Sequence, residues 1–226
     1  MLLKTDLLAA FRRLDALLGR AAQTAPSVFG AEAPQDAYRG LYVDWDAVQR
    51  LLSQSPGAPL FPPDDSSGRL ADLEETPVLQ RLADRYNLTP FDLDVLLVAL
   101  APEIDLRYRR LYAFLQDDVT RKFPTVELTL NLLCASPEER LLRRAHFAPD
   151  APLVRHALLH LDASDDRPPG PLLARALCVD EQMVRLLLDQ SGIDSGLAAF
   201  CELTVPTESL ANLPLMAETR RALMAL

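Results

Sequence analysis

The chain has 226 residues, of which 49% are hydrophobic, and it carries a formal net charge of −9 at pH 7. That length holds one large domain or two small ones. No apolar run reaches the roughly 18 residues of a membrane-spanning helix, and the charged start, MLLKTDLLAAFRRLDALLGR, lacks the apolar segment of a secretory signal. We therefore expect a soluble, cytoplasmic protein. The acidity argues against nucleic-acid binding, which depends on Lys and Arg neutralising phosphates.

The first third of the chain predicts a helix followed by a linker. Residues 1–22 form an amphipathic pattern, with apolar side chains at three- and four-residue steps. Residues 23–76 are rich in proline, which predicts a partly irregular linker, and residues 54–69 are expected to form an exposed loop. Segment 38–52 carries enough apolar residues to dock onto a core. We expect its Trp45 to tether the linker to the domain, and the alternative is a partner-binding hot spot.

Residues 77–190 predict a compact helical domain. Thr89 suits a helix N-cap, with Pro90 at the first helical position and Asp92 in the first turn. The helix that follows is apolar nearly all round, which is typical of a helix buried on several sides. Pro102 ends or kinks it. We expect five leucines of this region in the core, namely Leu96, Leu97, Leu100, Leu111 and Leu115.

The second half of that domain gives a less uniform pattern. Residues 125–134 alternate apolar and polar side chains as a strand does, while Thr125 as a cap favours a helix, so the local pattern leaves both open. Ser136 begins a capping box and a helix to about Phe147. Two apolar runs, Leu153–Leu161 and Leu172–Val179, flank a polar, proline-rich tip and predict a β-hairpin. Asp180 then caps a short helix.

Several stretches resemble a known bacterial family. LLVALAPEID, LYAFLQDD, FPT and LNLLC, together with FAPDAPLVRHALLHLD, PLLARALCVD and GLYVDW, are similar to the variant winged-helix region that precedes the ATPase core of certain AAA+ proteins. Members include ATPases encoded with contractile, phage-tail-like injection systems. The resemblance covers most of residues 38–190. It implies a mainly α, winged-helix-like fold with a small β-hairpin wing, and a helix rather than a strand at 125–134.

The resemblance also bears on activity. No GxxxxGK[ST] phosphate-binding motif occurs in the 226 residues, so no enzyme activity and no cofactor are expected in this chain. The resemblance then implies an N-terminal module in which residues 191–226 connect towards a separate AAA+ core, where ATP and magnesium would bind. We expect a protein client or assembly partner and that AAA+ core as its partners. The alternative is an acidic winged-helix regulator that binds DNA.

Candidate contact residues lie in the most basic section, residues 103–144, which holds eight Lys and Arg against seven Asp and Glu. With Trp45, the candidate partner-binding residues are Arg107, Arg109, Arg110, Arg121 and Lys122. The adjacent Asp117 and Asp118 are read as a corner held by ion pairs and caps, in preference to a metal or acid–base pair. The residues with an expected structural role are Thr89, Asp117, Asp118, Pro124 and Thr125.

Metal-binding patterns are weak. His156 and His160 are four residues apart and share a face in either a helix or a strand, but no Glu follows the first His, so the zinc-protease motif is absent. Three cysteines, Cys134, Cys178 and Cys201, have no zinc or redox spacing. We expect them to be small buried side chains and expect no metal site.

Overall fold

The computed structural model describes residues 2–30, 45–63, 68–73, 76–162 and 170–190, and, further on, residues 192, 196, 198–202, 204 and 212–224. Residues 1–190 form one compact unit and residues 191–226 a second one. Among the described residues, no helix has the length and apolar character to cross a membrane.

The described elements are ten α-helices and one two-stranded sheet. They are α1 (Leu2–Phe29), α2 (Trp45–Ser53), α3 (Pro77–Tyr86), α4 (Pro90–Ile104), α5 (Arg107–Leu115), α6 (Val126–Leu133), α7 (Pro137–Arg143), α8 (Pro152–Arg155), β1 (Leu159–Asp162), β2 (Ala176–Val179), α9 (Glu181–Leu187) and α10 (Ala217–Met224). Two 3₁₀ turns, Arg144–Phe147 and Leu172–Ala174, follow α7 and precede β2. The prediction of a mainly α fold with a small hairpin is confirmed.

The hairpin is antiparallel, with Leu159 opposite Val179 and Asp162 opposite Ala176. The tip expected between the strands falls on residues 163–169, which lie outside the described residues. Both strands are shorter than the apolar runs predicted, because a helical turn, α8, occupies the start of the first run and a 3₁₀ turn the start of the second.

A short extended segment before α6 joins the hairpin to the helices. The Leu177 N–H donates to the Pro124 carbonyl at 2.8 Å, and the Val126 N–H donates to the Arg175 carbonyl at 3.0 Å. Thr125 thus pairs with Ala176 as a single antiparallel bridge. Pro124 and Thr125 therefore have a second structural role that the sequence does not indicate.

Helix α4 is the centre of the core. Twelve of its fifteen residues are buried, and it packs against α1, α3, α5, α6 and β2. Leu96, Leu97 and Leu100 are completely buried, as predicted. The capping box expected at Thr89 is present, since the Asp92 N–H donates to Thr89 Oγ1 and the Thr89 N–H donates to the Asp92 carboxylate.

The buried stripe of α5 differs from the predicted one. Tyr108, Tyr112 and Leu115 are buried, whereas Leu111 is only half-buried. Spacings of four and three residues place these three side chains on one helical face. The Tyr112 hydroxyl donates to the buried Val98 carbonyl at 2.8 Å, which fixes that face against α4.

Helix α6 confirms the helical alternative for residues 125–134. Thr125 Oγ1 accepts from the Leu128 N–H at 3.2 Å and caps the helix. The alternating pattern is misleading because the polar side chains are buried too. Thr129 Oγ1 donates to the Thr125 carbonyl at 2.9 Å, and Asn131 Oδ1 accepts from the Leu60 N–H at 3.3 Å. With these hydrogen bonds satisfied, polar residues can face the core.

Helix α1 is longer than predicted and belongs to the core. It continues to Phe29, seven residues beyond the expected end, and contains Pro26. Phe11, Leu14 and Leu18 are buried, and the helix packs against α4, α5 and α6. The helix is therefore a part of the compact unit and not an appendage to it.

The proline-rich segment after α2 is attached to the domain. Phe61 is 4% exposed, and its N–H donates to the Asn131 carbonyl at 3.3 Å. Arg140 Nη1 donates to the Ala58 carbonyl at 3.2 Å. The expected exposed loop at 54–69 is therefore wrong at residues 58–61, which are half-buried or buried, whereas residues 55–57 are exposed. Residues 64–67 lie outside the described part.

Candidate protein-interaction surface

Three of the five basic candidates are engaged within the chain. Arg107 Nη2 lies 2.6 Å from the Asp15 carboxylate, and Arg121 Nε lies 3.2 Å from that of Asp118. The Arg109 guanidinium lies over the Phe123 ring, 4.9 Å from its centroid. These contacts fasten α5 and the corner after it to their neighbours.

The other two basic candidates, Arg110 and Lys122, are exposed, and neither forms an ion pair within the described residues. Arg110 lies midway between two exposed apolar residues, Leu106 at 68% and Phe114 at 49% exposure. Steps of four residues place all three on one side of the α5 region. This face has no separate signal in the sequence, because the apolar residues of α5 fit a single core-facing stripe.

The paired acids form a corner with a structural role. Asp117 adopts a left-handed conformation (φ 48°) that ends α5. The Asp118 carboxylate accepts from the Thr120 hydroxyl at 2.6 Å and from its N–H at 2.8 Å. These hydrogen bonds, chiefly the one from the Thr120 hydroxyl, hold the pKa of Asp118 below its usual range, and the positive charge of Arg121 lowers it further. This carboxylate is thus committed to the turn.

Helix α2 presents apolar side chains to solvent. Trp45, Leu51 and Leu52 are 68%, 62% and 76% exposed. The expectation that Trp45 tethers the linker is wrong, since its side chain is not covered by the domain. A spacing of seven residues puts Leu52 on the side of Trp45, and Leu51 lies about a third of a turn away from them. We call these three residues the α2 face. Tyr38 and Tyr42, the other aromatic residues of segment 38–52, lie outside the described residues.

One partly buried pair has no signal in the sequence. His146 Nδ1 lies 2.8 Å from the buried Asp92 carboxylate, and the imidazole packs on the Phe91 ring with centroids 4.8 Å apart. Burial opposes ionisation of Asp92, but the hydrogen bonds from His146 and Thr89 outweigh it and lower the pKa. The pair fastens the 3₁₀ turn after α7 to the start of α4. A contact across 54 residues leaves no local signal in the sequence.

A cavity of about 620 Å³ lies beside the first turn of α4. Four arginines line it, Arg13 and Arg20 from α1, Arg69, and Arg143 from α7, against two carboxylates, Asp94 and Glu139. We call it the arginine groove. The Asp94 carboxylate accepts from the Ala71 N–H at 2.8 Å, and burial raises its pKa to about 6 against the opposing effects of that bond and of Arg69.

The histidines and cysteines do not converge. His156 ends α8 and packs against Tyr86, while His160 in β1 lies 3.4 Å from Asp180, so the two histidines lie on different elements. No three His, Cys, Asp or Glu among the residues that the structure describes are placed to hold a metal ion. Cys134 is buried, Cys178 is half-buried and Cys201 is exposed, so the expectation of burial is wrong for Cys201.

Comparison with known proteins gives one match. The family model described as "Winged helix domain, variant" matches residues 67–201, which are 135 of the 226 residues. No curated protein matches the chain, and no solved structure does. The matched range includes α3 to α9 and the hairpin.

Proposed function

Because this chain belongs to the family of variant winged helix domains, we propose that it is a non-catalytic, cytoplasmic interaction module that recruits or regulates partners for an AAA+ ATPase. One observation supports the ATPase part, which is that residues 77–134 resemble the region ahead of such ATPase cores. The non-catalytic part rests on the 226 residues, which contain no GxxxxGK[ST] motif. ATP hydrolysis then belongs to the parent protein.

The α2 face carries the proposal of protein contacts. A tryptophan and two leucines exposed on one nine-residue helix keep a large apolar area in water. Exposed apolar clusters of this kind mark interaction sites, and tryptophan is over-represented among the residues that dominate binding energy. A protein partner that covers this face would remove its apolar surface from water.

The alternative, DNA binding, has less support from the helices before the hairpin. Major-groove recognition needs a helix with an exposed polar face. Helix α6 is buried on nearly all sides, and α8 is a single turn of four residues. Helix α7 carries Glu138 and Glu139 against Arg140 and Arg143, so it offers no net positive charge.

Photo-crosslinking in the organism that encodes the chain tests the protein-contact proposal. A photo-reactive amino acid replaces Leu52 in the full-length protein, and in a control it replaces Arg12, which is exposed on α1. We expect discrete protein adducts from position 52 and few from position 12. Equal yields from both positions, or adducts with nucleic acid, would contradict the proposal.

The ATPase part has its own test, which is the coding sequence after residue 226. We expect it to encode GxxxxGK[ST] and the rest of an AAA+ core. The purified 226-residue chain should show no ATP binding by calorimetry at micromolar concentrations. A stop codon at that point, or measurable nucleotide binding by the isolated chain, would overturn this part and leave the α2 face unaffected.

A further inference from the structure

The arginine groove departs from the charge of the rest of the molecule. The chain carries −9 overall, yet the described residues that line the groove include two more basic than acidic side chains. Three separate segments supply the arginines, namely α1, residue 69 and α7. Their convergence is therefore a result of folding and not of one basic run in the sequence. A local positive potential of this kind attracts anionic groups.

Two of the four guanidinium groups are held in position by the protein. Arg143 lies over the Phe91 ring at 4.8 Å and its Nε is 3.3 Å from the Glu139 carboxylate. Arg13 Nε donates to the Leu70 carbonyl at 3.0 Å. Arginines restrained in this way lose less conformational entropy when they bind a carboxylate. Arg20 and Arg69 are the other two basic side chains among the described residues of the lining.

The floor between the arginines is apolar. Leu17 from α1 and Leu132 and Leu133 from α6 line it, and the first two are buried. The volume of about 620 Å³ lies within the range of about 300–1,000 Å³ that is usual for ligand sites. A matching ligand combines several negative charges with at least one apolar side chain between them. A peptide with alternating acidic and apolar residues has that chemistry, whereas a small inorganic anion lacks the apolar part.

We propose that the arginine groove binds an acidic peptide segment of a protein partner, with its carboxylates paired to the arginines and its apolar side chains on the leucine floor. Pro63 and Gly68 both line the groove, and the four residues between them lie outside the described part of the chain. None of the α2 face residues lines the groove, so this site is additional to the surface on which the proposed function rests.

Fluorescence anisotropy with a labelled six-residue peptide of alternating glutamate and leucine tests the proposal on the complete chain. The double variant Arg20→Gln/Arg69→Gln should bind this peptide at least tenfold more weakly than the wild type. Its charge-matched control, Arg81→Gln/Arg155→Gln, removes two exposed positive charges on α3 and α8 that do not line the groove, and it should bind within twofold of the wild type. Unchanged circular dichroism and melting temperature of both double variants exclude misfolding.

Two further measurements separate the possible occupants. A peptide with glutamine in place of every glutamate should bind at least tenfold more weakly, and binding of the acidic peptide should weaken as sodium chloride rises. Inorganic pyrophosphate that displaces the labelled peptide at a concentration equal to or below that of the unlabelled peptide needed for the same displacement would show a small-anion site and overturn the proposal. Equal losses in the two double variants would overturn it as well, because they would indicate attraction without a defined site.

Discussion

Two carboxylates on the buried helix α4 have opposite protonation behaviour. Asp92 receives hydrogen bonds from Thr89 and lies beside His146, and its pKa is lowered even though it is buried. Asp94 has backbone donors, Ala71 and Leu70, and burial outweighs them and raises its pKa to about 6. The balance between burial and the hydrogen bonds to each carboxylate therefore differs between the two positions in the same helix.

Replacing Asp94→Asn should change the pH dependence of stability. The folded-state pKa, about 6, lies above the unfolded value of 3.8, so the wild type loses stability as pH rises from about 4 through 6. Asparagine is neutral and keeps an acceptor for the Ala71 N–H. We expect the variant to be more stable than the wild type by about 1–3 kcal/mol at pH 7, and by little at pH 4. Urea denaturation at several pH values measures this, and a constant difference at every pH would contradict it.

Leu97→Ala should destabilise the chain by about 2–5 kcal/mol, because Leu97 is completely buried in α4 and its truncation leaves a cavity. The matched control is Leu142→Ala on α7, where the side chain is 75% exposed. We expect the control to change stability by less than about 0.5 kcal/mol. Chemical denaturation of the two variants gives both values. A loss of less than about 1 kcal/mol in the free energy of unfolding for Leu97→Ala would contradict the central position of α4 in the core.

Single residues differ in how well their burial and contacts can be predicted from the sequence. Leu96, Leu97 and Leu100 were predictable as core residues because an apolar run leaves a helix no solvent-facing side. The pairing of Asp92 with His146 was not predictable, since it depends on a fold that brings together residues 54 positions apart. The exposure of Trp45 was not predictable either, because composition describes a side chain and not what covers it.

At the scale of elements, α6 shows how tertiary contacts decide between local alternatives. Its alternating pattern fitted a strand, yet Thr129 and Asn131 are buried with hydrogen bonds to Thr125 and Leu60. The family resemblance favoured the helix, and the periodicity did not. The hairpin was more readily predicted because its two apolar runs are separated by a polar tip. The pairing of Thr125 with the second strand was not predictable, because the sequence indicates only the capping role of this residue.

Thr125→Ala should cost about 1–2 kcal/mol, because it removes the cap of α6. The same hydroxyl donates to Gln116 Oε1 at 2.7 Å, so the variant also leaves that buried network incomplete. Thr125→Ser keeps the hydroxyl and should lose less than half as much stability. Thermal and urea denaturation compare the two variants. Equal losses in both would mean that the methyl group, and not the cap, stabilises this position.

For the whole molecule, the division into an N-terminal helix, a linker and a domain from residue 77 stays a prediction. Residues 1–190 form one compact unit. The proline content of residues 23–76 suggested a linker that is separate from the domain. Prolines restrict the backbone only, however, and the Phe61 side chain within this segment is buried. The boundary expected after residue 190 stays a prediction.

Deleting residues 1–29 should prevent cooperative folding, whereas ending the chain after Gln190 should leave it folded. Helix α1 contributes five large buried side chains to the core, namely Leu7, Phe11, Leu14, Leu17 and Leu18. At about 1.5–3 kcal/mol each, their loss is comparable to the whole stability of about 5–15 kcal/mol that a domain has. The core residues that the structure describes all precede residue 190.

Calorimetry of the two truncated chains should show no sharp transition for residues 30–226, and one close to the full-length melting temperature for residues 1–190. A cooperative transition in the chain without α1 would mean that the winged helix domain folds independently of that helix.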